Sequence, residues 1–332
     1  MHRLKTTYLP LLLMTLALLA TFKATAQNDA TLSQYYEVKH YYNPATIGTN
    51  DFINIHAGAR LQWVGMTNAP KDFMVMAETP FKMFNKRFGA GLVFQQNSEG
   101  LFSTMLIDAQ LGYRFKVGKG QLNVGLNIGY LSETFKGSKA ELPEDSQGQT
   151  STDPAIPTSD VSGSALDLGL GVHYTHKYFW MGLSATHLTQ PKMRLSASKE
   201  SSSTTDEGYE FTMSRNLYFM AGSNIQVKNT LLEIMPSVLV RTDFKTVQAD
   251  ITARFRLRKF ISFGVGYRTQ SAVMLMVGAE FKNVYIGFDY DIATSKNLLR
   301  STYGSFELFV GYSVKLDMGD KNKNKHKSIR LM

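Results

Sequence analysis

Residues 259–316 read as four β-strands in succession, each alternating apolar and polar side chains and joined by almost nothing. In 259–269, Ile261, Phe263, Val265 and Tyr267 share one face and Ser262, Gly264, Gly266 and Arg268 the other. In 283–292, Val284, Ile286, Phe288, Tyr290 and Ile292 oppose Tyr285, Gly287, Asp289 and Asp291. In 304–316, Phe306, Leu308, Val310, Tyr312 and Val314 oppose Ser305, Glu307, Gly311, Ser313 and Lys315. A period of two puts every second side chain on the same face of a sheet. One face rich in Gly and charge, backed by one rich in aromatics, fits a membrane barrel with lipid outside and a polar lumen inside.

The start of the chain reads as a secretory signal peptide over residues 1–26. Arg3 and Lys5 are the charged start, 8–22 the apolar stretch, and Ala24-Thr25-Ala26 the small-residue cleavage site. That stretch is short for a membrane-spanning helix, and no later segment approaches one. A mature membrane protein with this sequence must therefore cross by strands. The absence of cysteine removes disulfides, thiolate metal sites and any lipoprotein acylation site. Hydrophobic residues at 43% and charged residues at 19% exclude general disorder.

Followed backwards, the alternation predicts an all-β, transmembrane outer-membrane barrel of about fourteen antiparallel strands over residues 51–316. Segment 27–50 precedes it as an N-terminal periplasmic or lumenal segment, and a basic periplasmic tail, 317–332, follows. The strand spans are 52–63, 71–80, 87–96, 101–116, 121–135, 164–176, 178–188, 214–226, 231–242, 246–257, 259–269, 272–282, 283–293 and 303–316. Pro80 and Pro236 belong at edges or irregularities, because proline cannot donate to a ladder. Every second connection is short, and the intervening set includes the two longest, 136–163 and 189–213. Outer-membrane barrels sort their connections this way, with short periplasmic turns and longer external loops. The parity places both mature termini in the periplasm.

The short turns are basic, with Lys82, Lys86, Arg87, Lys119, Lys177, Lys228, Arg258, Lys259 and Lys282, and the tail adds Lys321, Lys323, Lys325, Lys327 and Arg330. Either this is a solvated rim or it is a docking face for an acidic periplasmic partner. Nucleic acid is excluded as a partner by the export signal. The loop 136–163 carries Glu141, Glu144, Asp145, Asp153 and Asp160, and 189–213 holds a Ser/Thr/acid run from Glu200 to Glu207. Their length makes them the candidate surface for binding outside the cell.

The lumen face is charged. Arg60, Arg114, Arg254, Arg256 and Arg268 point inward with Glu78, Asp108, Asp167, Asp250, Glu280, Asp289, Asp291 and Glu307. This inventory makes either an internal salt-bridge network or the selectivity lining of an open pore. His56, His173, His176 and His187 lie in or beside strands without the spacing of a helical zinc motif. No Gly-x-Ser-x-Gly elbow and no phosphate-binding Gly loop occurs. No catalytic residue, metal or cofactor is expected. The pairs Gly89/Gly91, Gly169/Gly171 and Gly264/Gly266 sit on lumen faces, where they relieve crowding or let strands bend.

The chain resembles the PorP/SprF family of outer-membrane proteins of the Bacteroidetes type IX secretion and gliding machinery. Ser33-Gln34-Tyr35-Tyr36, then Tyr42-Asn43-Pro44-Ala45 and Gly48, is similar to its opening motif. Arg60-Leu61-Gln62-Trp63 resembles its Arg-x-Gln-Trp signature, and Gly264-Val265-Gly266-Tyr267-Arg268 its Gly-x-Gly-Tyr-Arg strand. Residues 286–291 with 304–307 and Gly311-Tyr312 resemble its final hairpin, departing at Phe306, where the family often has His or Tyr. The resemblance runs from Ser33 to Tyr312, with a weaker middle. It implies a non-enzymatic barrel serving a secreted, adhesin-like cargo with a type B C-terminal sorting domain. It also implies a possible link to a periplasmic secretion ring or an OmpA-like peptidoglycan-binding partner. A channel for small compounds, hydrophobic ones among them, is the alternative that the strand number leaves open. A further expectation concerns Tyr35, Tyr36, Tyr41, Tyr42 and Pro44. They are too much apolar surface for a solvated linker, so segment 27–50 should fold against the barrel and close its lumen.

Overall fold

The computed structural model describes residues 29–140, 156–196 and 209–318. The expected signal peptide, most of the acidic residues named in 136–163, the Ser/Thr run of 189–213 and the expected basic tail lie outside the described residues.

Fourteen antiparallel strands form the wall. They are β1 (Phe52–Leu61), β2 (Lys71–Met83), β3 (Lys86–Glu99), β4 (Phe102–Val117), β5 (Gly120–Lys136), β6 (Asp160–Thr175) and β7 (Phe179–Thr186). The second half is β8 (Asn216–Ser223), β9 (Leu232–Thr242), β10 (Val247–Leu257), β11 (Ile261–Arg268), β12 (Ala272–Phe281), β13 (Val284–Ala293) and β14 (Ser305–Lys315). Each pairs with its neighbour in sequence, and β14 returns to β1 in register from Phe52↔Lys315 to Leu61↔Phe306. Closure leaves no edge strand, which a lipid-facing sheet requires.

The pleat sorts the side chains as the alternation predicts. Phe263, Val265, Ile286, Phe288, Leu308 and Val310 are exposed on the outer wall, while Arg268, Asp289, Asp291 and Glu307 are buried inside. Near one rim, Phe81, Phe88, Tyr113 and Phe115 run across β2, β3 and β4 with successive ring centroids 5.5, 5.0 and 5.7 Å apart. Such an aromatic band marks a membrane–water boundary. Pro236 faces a break in its neighbour: β8 pairs with β9 up to Gly222↔Ser237, and pairing resumes only at Ile225↔Ile234. Pro80 lies where β2 runs beyond its last partner on β1, Asn54↔Glu78.

The two rims differ. At the turn end the strands meet in tight reversals, including Phe84–Asn85 and Arg258–Lys259, whose positive φ values suit the right-handed twist of hairpins. At the loop end β4, β5 and β6 project beyond β7 and β8, which have only eight residues each. A two-stranded hairpin, Lys192–Leu195 with Tyr209–Thr212, covers the projecting wall. Its Met193 and Leu195, with Met213, pack on Leu106, Leu131 and Val161. The long loop 189–213 is thus folded back at both its ends.

The lumen is not uniformly polar. Residues 29–50 thread it lengthwise and bring an apolar core with them, in which Leu32, Tyr35, Tyr36, Tyr41 and Tyr42 pack among Met74, Met76, Met220, Met274 and Met276. Methionine suits this seat because its unbranched thioether fills irregular gaps. Phe309, an apolar residue at a regular inward position of β14, joins this core and is fully buried. It lies against Gly58, where a Cβ would stand 2.3 Å from the ring.

The described chain begins with Asp29 held towards the loop end and reaches Leu316 at the turn end. Threading the lumen carries the N-terminal segment across the barrel before β1 begins.

Candidate functional site

The site is the seat of segment 29–50 in the lumen. A chain threading a barrel exposes backbone groups that need partners, and burial makes each unmet one costly. Four devices supply those partners.

The first is a charge cluster around Ser33. Glu307 on β14 accepts the backbone N–H of Ser33 at 2.8 Å and of Gln34 at 2.7 Å. Arg60 on β1 bonds Glu307 at 3.1 Å and Asp291 on β13 at 2.7 Å. Arg268 on β11 bridges Asp291 and Asp250, each at 3.1 Å, and Arg241 on β9 closes the chain on Asp250 at 2.9 Å. The Ser33 hydroxyl donates to Asp291 at 2.9 Å and accepts from Arg60 and Arg268 at 3.2 Å. Arg60 and Arg268 are each only 2% exposed. Charges buried that deeply are tolerated only when paired, so removing one member leaves its partner stranded.

The second device is a shelf of glycines. Asn43 caps the short 3-10 turn Pro44–Thr46, its Oδ1 accepting Ala45 N–H at 2.9 Å while its Nδ2 donates to the Val172 carbonyl at 3.0 Å. This turn lies directly on the wall. A Cβ at Gly125 would stand 2.4 Å from Pro44 carbonyl carbon, and one at Gly171 2.1 Å from Asn43 Oδ1. Close backbone approach therefore accounts for lumen glycines on β5 and β6.

The third is a latch nearer the loop end. His187, immediately after β7, lies between Asp29 and Asp167, with 2.8 Å from each ring nitrogen to a carboxylate. Asn216 donates to the other oxygen of Asp29 at 2.7 Å, and the Tyr218 hydroxyl donates to the same atom. Burial disfavours charge on Asp29, but the His187 imidazolium and the bonds from Tyr218 and Asn216 win, holding the carboxylate at about 2. Burial also opposes the charged imidazole, yet the two carboxylates raise His187 to about 10.

The fourth lies at the turn end. Tyr36 has the Arg254 guanidinium 3.3 Å above its ring, and Arg254 pairs with Glu37 at 3.2 Å. Arg114 donates to the Thr49 carbonyl at 2.8 Å, and Arg87 pairs with Asp51 at 2.6 Å where the segment joins β1.

The expected lumen residues fall into separate groups. Arg60, Arg268, Asp250, Asp291 and Glu307 form the central cluster, whereas Arg114 and Arg254 hold the segment elsewhere. Arg256 pairs with Glu233 and Glu280. Asp108 accepts from Asn127 at 2.9 Å beside the latch. Asp289 is buried near Glu307, and neither of its carboxyl oxygens has a hydrogen-bond partner among the described residues. Of the motif residues, Gln34 accepts from the Tyr285 hydroxyl at 3.0 Å over Gly287. Asn43 and Pro44 make the turn on the shelf. Gln62 and Trp63 follow β1 at the loop end, where Trp63 N–H donates to Ser305. Gly266 faces the lumen against Met274, and Tyr267 faces outward.

Arg241 and the Asp29–His187 pair were not foreseen. Alternation along β9 puts Glu233, Met235, Ser237, Leu239 and Arg241 on one face and would have found Arg241. Nothing local marks Asp29, since its partners lie 158 and 187 positions away. Among the described residues no group of three or more His, Cys, Asp or Glu side chains is arranged to hold a metal.

These features define a class: an outer-membrane β-barrel whose lumen is filled by its own N-terminal segment. The family profile described as "Type IX secretion system membrane protein PorP/SprF" matches residues 24–312, and the chain belongs to that family. No curated protein matches. Similar solved structures include the toluene transporter TodX of Pseudomonas putida (10% identity, TM-score 0.48, covering 89% of this chain and 96% of that one). The toluene transporter TbuX of Ralstonia pickettii gives 12% identity and a TM-score of 0.47 over 83% and 92% of the two chains. Omp33 of Acinetobacter baumannii gives 6% and 0.45 over 80% and 100%.

Proposed function

We propose that this barrel supports the secretion or surface anchoring of an adhesin-like cargo bearing a type B C-terminal sorting domain, in the type IX system its family serves. The observation that carries this reading is the filled lumen. A segment tied to the wall by buried ion pairs, a glycine shelf and a latch is built to stay, and a wall built around it suits an adaptor better than an open pore. In this reading the turn end faces the periplasm and the loop end faces the cargo. The protein acts by binding rather than catalysis, with a periplasmic secretion-ring or OmpA-like peptidoglycan-binding protein as the partner at the turn end. In a gliding organism the cargo would be a motility adhesin.

The test replaces residues 141–155 by a short turn, which a surface loop tolerates far better than a strand does. The barrel should remain heat-modifiable and inserted while one cognate cargo disappears from the cell surface. Loss of all type IX cargo together would identify a core component of the machine. If removal of the whole protein leaves every surface protein in place and instead abolishes uptake of a small hydrophobic compound, the barrel is a channel.

A further inference from the structure

A vestibule of about 160 Å³ opens at the turn end between the segment and the wall, lined by Glu37, Lys39, His40, Glu78, His173 and Trp180 among others. Its acids are already engaged. Glu37 pairs with Arg254 at 3.2 Å and Glu280 with Arg256 at 3.7 Å, while Glu78 accepts from Asn54 at 2.8 Å and from Gly48 N–H at 3.1 Å. Lys39 differs. It makes no ion pair among the described residues, and its Nζ sits 4.2 Å from the centroid of the Trp180 ring. Two buried imidazoles add to this. His173 is 4% exposed and His40 2%, and the Nε2 of each is buried with no hydrogen-bond partner among the described residues. The Thr175 hydroxyl lies 3.3 Å from His173 Nδ1 and can donate to it, which leaves His173 Nε2–H free to donate.

An unpaired ammonium on an indole face is a seat for a carboxylate. The cavity takes a side-chain-sized group, so the rest of the ligand must lie outside. Around the mouth the turns present Lys86, Lys119, Lys177, Lys228, Lys259 and Lys282, all exposed. We infer that the vestibule receives an acidic side chain from a partner polypeptide, whose remaining acidic residues rest on the lysine rim. This rests on the reading of the turn end as the periplasmic docking side, and it specifies how that side holds its partner.

The chain has two tryptophans, so a Trp63→Phe variant reports on Trp180 alone. The probe is an end-blocked hexaglutamate peptide, with hexaglutamine and acetate as controls, titrated onto the full-length barrel in detergent. Hexaglutamate should change the Trp180 emission saturably, hexaglutamine should not, and acetate should bind far more weakly. Lys39→Gln should weaken hexaglutamate about tenfold, the loss expected for one charge-assisted contact. Calorimetry on the unsubstituted barrel and on Lys39→Gln gives the same comparison if Trp63→Phe does not fold. Absence of saturable binding, equal binding of hexaglutamine or acetate, or undiminished binding by Lys39→Gln would each overturn the proposal. The cargo test above is independent of this result.

Discussion

Glu307 accepts the backbone N–H of Gln34 at 2.7 Å, joining the last strand of the barrel to a residue 273 positions earlier in the chain. The same carboxylate takes the N–H of Ser33 and the guanidinium of Arg60. One acid on β14 thus fixes both the lumen segment and the first strand at the seam where the barrel closes. Glu307→Ala leaves two buried backbone donors without their acceptor and takes from Arg60 one of its two carboxylate partners, Asp291 remaining, a loss of about 3–5 kcal/mol for a broken buried pair. The heat-modification midpoint of the barrel should fall markedly, whereas Glu307→Gln, which can still accept one N–H, should fall less. Equal midpoints for wild type and Glu307→Ala would remove Glu307 from this role.

The wall was legible in the sequence and the seat only in part. All fourteen strands follow from alternation, because a strand with lipid on one side declares its faces residue by residue. The arginines and acids of the lumen declared themselves the same way. Their pairing did not, since Arg60, Asp291 and Asp250 meet only once closure sets the register. Gly171 reads in the sequence as relief of crowding, and Gly125 carries no signal of its own. That they make room for Pro44 and Asn43 depends on where a segment far away in sequence comes to lie. Phe309 keeps the inward parity of β14 but sets an apolar ring on the polar face, because it fills the space opposite Gly58.

The glycine shelf predicts a steric phenotype. Gly171→Val puts side-chain atoms where Asn43 Oδ1 now sits, so the Asn43–Gly48 turn must lift while the outer wall is untouched. The native chain has no cysteine, so one placed at buried Thr46 reports the position of the turn. Maleimide labelling of Thr46→Cys should be slow alone and fast with Gly171→Val. Val172→Leu, a change on the exposed outer face, should leave it slow. Fast labelling with Val172→Leu, or slow labelling with Gly171→Val, would contradict the shelf.

The two faces of β11 should respond oppositely to substitution. Val265 lies on the outer wall, where an arginine near the membrane midplane costs about 2–4 kcal/mol. A Cβ at Gly264 would meet Arg254 Cγ at 2.8 Å, so alanine there shifts the Arg254 stem locally but puts no charge into lipid. Folded yield in lipid vesicles should drop for Val265→Arg far more than for Gly264→Ala. Similar yields would mean that the faces are reversed.

The latch gives a pH window. His187 is raised, so its contribution is fully present below its unfolded value of about 6.5 and is lost as pH rises through about 10. Asp29 is lowered, so its contribution is fully present above about 3.8 and is lost as pH falls through about 2. Labelling of a cysteine at Ala30, 4% exposed beside Asp29, should therefore be slowest between about pH 4 and 6.5 and accelerate beyond pH 10, relative to an unfolded control. His187→Gln should remove the alkaline acceleration by making labelling fast throughout. A pH profile identical in wild type and His187→Gln would exclude the latch.

The central claim is that residues 29–50 close the lumen. Single-channel recording in planar bilayers tests it most directly, comparing the intact barrel with a variant lacking residues 33–44. The intact protein should show little steady conductance, and the deletion, which removes the Ser33 cluster, the tyrosine core and Asn43 together, should open a large and stable one. A large stable conductance in the intact protein, unchanged by the deletion, would contradict the account and make the barrel a channel.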